Sequence, residues 1–65
     1  MDNLGHYDTE EEIRQFVLDD IAARKGNTKL AFIVSECANE AQCVEVINKM
    51  IAEGVIKSDG RFLFL

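Results

Sequence analysis

The chain has 65 residues, 48% of them apolar and 29% charged, with a net charge of −5, two cysteines and no proline. That length holds one domain, with enough apolar material for one compact core and too little bias for general disorder. No apolar run reaches the roughly 18 residues a membrane helix needs, and the acidic start MDNLGHYDTEEE lacks the basic and apolar parts of a secretory signal. These features point to a cytoplasmic protein. The charge is uneven: residues 1–12 carry Asp2, Asp8, Glu10, Glu11 and Glu12 and no lysine or arginine, whereas the rest is close to neutral. Nothing in the chain forms a basic patch.

Residues 1–8 are polar and without period, and are expected to be a flexible acidic tail before a domain spanning 9–65. Thr9-Glu10-Glu11-Glu12 has the capping-box form, Thr accepting from a backbone N–H and Glu reaching back. Ile13, Phe16, Val17 and Ile21 follow at helical spacing, with Leu18 beside them. Arg24 and Lys25 suit the last turn and Gly26 the stop, so the first helix covers about 10–25. Asn27 or Thr28 can cap a second helix, which carries Leu30, Ile33, Val34 and Cys37 on one face. The run Leu30–Val34 also reads as a buried strand; Ser35–Ala38 extends it without a turn signal and favours helix. A bridge of one or two residues near Lys29 could add a strand to a C-terminal sheet.

Asn39 is the next cap, with Gln42 three residues on, for a helix from about Glu40 to Glu53. Its inner stripe is read as Val44, Ile47, Met50 and Ile51, with Cys43 alongside. Gly54 ends it. Val55-Ile56-Lys57 reads as a strand, Ser58-Asp59-Gly60 as a hairpin turn, and Arg61–Leu65 as the return strand. Alternation sets Phe62 and Phe64 on one face and Leu63 and Leu65 on the other. An isolated hairpin is unstable in water, so this one must dock on the helices.

Helix, helix-turn-helix and hairpin, in that order, resemble the winged-helix superfamily over residues 9–65. The segment Glu45-Val46-Ile47-Asn48-Lys49-Met50-Ile51-Ala52-Glu53-Gly54-Val55-Ile56 looks like the end of its third helix entering the wing, and Ser58-Asp59-Gly60-Arg61-Phe62 looks like a short wing tip. The resemblance implies a mainly α fold: three helices and a two- or three-stranded wing. The chain departs from the family's DNA-binding members in its third helix and in its very short wing.

Chemistry is sparse. The single histidine, His6, lies in the expected tail, and with Cys37 and Cys43 it makes no zinc spacing. Adjacent Asp19 and Asp20 point about 100° apart on a helix and read as a solvated face. Gly5, Gly26, Gly54 and Gly60 are isolated, so no phosphate loop is present. No enzyme, cofactor, metal or small-molecule substrate is expected. Cys37 and Cys43 could bridge only if a turn brings their β-carbons within about 4.5 Å; free thiols are the plainer expectation.

Two classes of partner remain. A protein partner would meet the outward face of the third helix, at Glu40, Gln42, Glu45, Asn48 and Lys49. The apolar strand Phe62, Leu63, Phe64 and Leu65, read as an exposed edge, would make a homodimer or edge-strand contact. The alternative is a dimeric DNA-binding regulator using helix 39–53, with contacts from Gln42, Asn48, Lys49, Lys57 and Arg61. Glu40 and Glu45 on the same face repel phosphate, and the supply of cations is thin, so charge disfavours DNA.

Overall fold

The computed structural model describes residues 7–65. It is a small mixed α/β domain: α1 (Glu10–Arg24), β1 (Thr28–Lys29), α2 (Leu30–Ser35), α3 (Glu40–Ala52), β2 (Lys57–Ser58) and β3 (Phe62–Phe64). The three strands form one antiparallel sheet of order β1-β3-β2. Residues 1–6, which include His6 and most of the expected tail, lie outside the described part.

Helix α1 starts where Thr9 Oγ1 accepts the Glu12 N–H at 3.1 Å. The reciprocal half of the expected box is shifted by one residue: Glu12 accepts from the N–H of Asp8, not of Thr9. The helix stops because Lys25 turns left-handed at φ 54° and Gly26 follows at φ 89°, both amides donating to the Ile21 carbonyl. Ile13, Val17 and Ile21 are buried; Phe16 and Leu18 pack at the margin. Tyr7, assigned to the tail by composition, is held: its ring stacks on Phe16 at 4.2 Å, and its backbone bonds to Glu36 and Ala38.

The second helix is shorter than its sequence suggests. Thr28 is no cap; it lies in β1, fully buried, with its hydroxyl donating to Asp20 at 2.8 Å. Strand β1 pairs Thr28 with Leu63 and Lys29 with Phe62, so the bridge near Lys29 does add a strand. Helix α2 begins at the next residue without a side-chain cap; the Leu30 N–H instead donates to the Arg61 carbonyl at 2.9 Å. It ends at Ser35, leaving Cys37 beyond it, where it bridges to Tyr7. Ile33 is its one buried residue.

Helix α3 is capped as expected, Asn39 Oδ1 accepting the Gln42 N–H at 3.0 Å. Its inner face differs from the expected stripe. Cys43, Val46, Ile47 and Met50 are buried, whereas Val44 is 40% and Ile51 37% exposed. The helix has apolar residues on two sides that share Ile47, and spacing alone does not say which side meets α1 and α2.

Strand β3 is central, a second correction. Its backbone is used on both sides, against β1 and against β2 (Lys57 with Phe64, Ser58 with Leu63). Phe62, Leu63 and Phe64 therefore offer no free strand edge, and Leu65 lies beyond β3; the edges are β1 and β2, two residues each. Leu63 is fully buried, Phe62 and Phe64 are half-buried on the other face, and Leu65 is 70% exposed. At the turn the Asp59 carboxylate accepts the Arg61 and Phe62 amides, and Gly60 sits at φ 97°. The core draws on every layer: Ile13, Val17 and Ile21 from α1, Ile33 from α2, Cys43, Val46, Ile47 and Met50 from α3, and Ile56 and Leu63 from the C-terminal segment. Among the described residues no helix is long and apolar enough to cross a membrane.

Candidate functional site: the outer face of the third helix

Rotating the inner stripe to Cys43, Val46, Ile47 and Met50 forces Val44 and Ile51 outward. At 100° per residue, positions 44, 48 and 51 fall within about 60° of one another on a helix wheel. Val44, Asn48 and Ile51 therefore make a row along α3; Val55, beyond the end of the helix and the left-handed Gly54, is also 39% exposed. Glu40 and Glu45 flank the row and are exposed. At the N-terminal end the row runs into an open groove of about 830 Å³. Leu30, Ala31, Val34 and Val44 supply its apolar lining, and Lys29, Glu40 and Arg61 its charges.

The five face residues read from sequence do lie on α3. Glu40, Glu45, Asn48 and Lys49 are exposed, but Gln42 is partly buried beside the Asn39 cap. Lys49 is not an independent cation: its Nζ sits 3.0 Å from Glu10 Oε1. Arg14 joins the same network, its Nε 2.9 Å from Glu10 and its two terminal nitrogens each 2.8 Å from the Glu53 oxygens. The hydrogen bonds from Lys49 and Arg14 hold the Glu10 carboxyl below its ordinary range, and Arg14 does the same to Glu53. The network ties α1 to the C-terminal end of α3.

Lys57 and Arg61, the other cations considered for DNA, are exposed on β2 and at the turn between β2 and β3. Arg24 pairs with Asp20 at 2.9 Å and lies 5.0 Å over the Phe32 ring. Asp20 is thus structural, its side chain only 11% exposed, which corrects its reading as part of a solvated face; Asp19 does lie exposed, accepting from Gln15.

Both cysteines are free thiols. Cys37 and Cys43 donate to the same Ile33 carbonyl, at 3.3 and 3.9 Å. Burial first, and then the bond to Cys37, push the Cys43 thiol up to about 12. Among the described residues no three His, Cys, Asp or Glu side chains converge as a metal site.

The exposure of Val44 and Ile51 is what sequence reasoning missed, because both fit a core stripe; Val55, read as the start of a strand, is likewise exposed. The available signal was Val46: an apolar residue placed outside the chosen stripe marks the second apolar side. Comparison of the chain with known protein families, curated proteins and solved structures finds no match.

Proposed function

We propose that this chain is a cytosolic winged-helix docking module without catalytic activity, whose third helix receives an amphipathic helix from a partner protein. The layout supports the winged-helix part: three helices closed by a hairpin, with β1 added to the wing as that superfamily often has it. The observation that carries the docking part is the exposure of Val44 and Ile51 on the flank of α3 and of Val55 just past its end. Apolar anchors along one helix face suit the helix-on-helix mode of recognition, where they meet a matching row. Glu40 and Glu45 beside the row favour a partner helix with lysine or arginine flanks.

The same face suits nucleic acid poorly. A helix entering a groove needs donors for base edges and cations for phosphate. Here the face offers Asn48 as its one exposed amide, set among valine, isoleucine and glutamates, with Lys49 already engaged by Glu10. Self-association by strand pairing at β3 has no free edge to use.

The test is a titration of labelled full chain with three probes: an amphipathic helical peptide with lysine flanks, the same peptide with glutamate flanks, and duplex DNA at low salt. The lysine-flanked peptide should bind best. Ile51→Ser should weaken it about tenfold while leaving the circular dichroism unchanged, since the lost contact is worth about 1.4 kcal/mol. Duplex binding that falls steeply with salt, with both peptides ignored, would overturn the proposal in favour of a DNA-binding regulator.

A further inference from the structure

Two thiols, one partly exposed and one buried, converge on a single carbonyl oxygen at the junction of α2 and α3. Cys37 lies two residues beyond α2 and lines the groove; Cys43 lies one turn into α3 with its side chain fully buried. Their sulfurs stand 3.3 and 3.9 Å from the same Ile33 oxygen. Neither contact is needed to satisfy the Ile33 carbonyl, which already accepts the Glu36 N–H at 3.1 Å. The docking reading uses neither cysteine.

We propose that Cys37 and Cys43 form a redox-active dithiol site whose substrate is a small-molecule disulfide reaching Cys37 through the groove. The roles follow from exposure. Cys37 is the attacking group, because solvent and a small disulfide reach it from the groove. Cys43 is the resolving group, because burial keeps it protonated and away from external reagents until a mixed disulfide stands beside it.

The step balances as ordinary thiol–disulfide exchange. Deprotonated Cys37 attacks one sulfur of the small disulfide. Its S–S bond breaks, a bond from Cys37 sulfur to one half forms, and the other half leaves as a thiolate that takes up a proton. Cys43 then loses its proton to solvent and attacks the Cys37 sulfur, expelling the second half as a thiol. Two protein thiols are oxidised to one disulfide, and one small disulfide is reduced to two thiols. The Cys37–Cys43 bond links the segment after α2 to the first turns of α3, beneath the wall of the groove that carries Val44.

The test uses the reduced full chain with oxidised glutathione as the probe, followed by alkylation and intact-mass measurement. The wild-type chain should lose two hydrogens, resist alkylation at both cysteines, and stay monomeric. Cys43→Ser should stop at the adduct carrying one glutathionyl group. Cys37→Ser should react at least tenfold more slowly than wild type under native conditions. If either serine variant fails to fold, Cys43→Ala and the wild-type mass alone still decide the question. A wild-type chain that ends as a mixed disulfide, as a disulfide-linked dimer, or unmodified would overturn the proposal, as would Cys37→Ser reacting as fast as wild type. None of these outcomes bears on peptide binding by α3, so this proposal and the docking reading fail separately.

Discussion

Val44 and Val46 lie two positions apart on α3, yet one is 40% exposed and the other 3%. Truncating each to alanine measures which side of the helix meets the core. Removing two methyl groups from a buried valine costs about 1.6 kcal/mol in transfer terms, and the cavity left behind raises this to about 2 kcal/mol. At Val44 the same removal costs about 1 kcal/mol, since much of the side chain is already in water. Alanine's better helix propensity returns about 0.5 kcal/mol at both sites. The expected losses are therefore about 1.5 kcal/mol for Val46→Ala and about 0.5 kcal/mol for Val44→Ala. A domain this size has a total stability of roughly 3–10 kcal/mol, so both variants should fold. With a urea slope of about 1 kcal/mol/M, the midpoints should fall by about 1.5 M and about 0.5 M. Equal losses, or a larger one at Val44, would refute the assignment of the inner face and remove the exposed row with it.

Three further outcomes follow. Glu10 and Glu53 are held below their ordinary value of 4.5 by Arg14 and Lys49, so the unfolded chain takes up protons first as pH falls. Their contribution is present above about pH 4.5 and lost as pH drops through the lower folded-state values; Glu53→Gln should flatten that decline in an acid titration followed by circular dichroism, and an unchanged profile would show the network to be inert. Asn39→Ala removes the side-chain acceptor for the Gln42 N–H, and thermal unfolding should report a loss of about 1 kcal/mol. Gly60→Ala meets open space but must hold φ near 97°, so it should cost about 1 kcal/mol, with no loss expected if the turn were of another type.

Much of the fold was legible because its boundaries rest on local chemistry. Thr9 and Asn39 cap the helices they precede, and Lys25-Gly26 and Gly54 supply the positive φ at which α1 and α3 end. These are interactions within a few residues, and they survive without knowledge of the rest of the chain. What could not be read depends on long-range contact. Thr28 looks like a cap until β1 meets Leu63 and the hydroxyl finds Asp20. A two-residue strand has no alternation to detect, so β3 looked like an edge when it is the centre of the sheet. Tyr7 has no periodic neighbours, and only the fold sets Phe16 beneath its ring. On α3, Val44 and Val46 are equally apolar, and the choice between them is made by α1 and α2, not by the helix.

Methyl nuclear magnetic resonance during titration with the lysine-flanked amphipathic peptide tests docking through α3 most directly. The methyls of Val44, Ile51 and Val55 should shift together and saturate at one peptide affinity, while those of Val46 and Ile13, buried at 3% and 0% exposure, stay in place. A titration in which those three methyls do not respond, or a parallel amide titration in which only duplex DNA moves the spectrum and does so at Lys57 and Arg61, would contradict it.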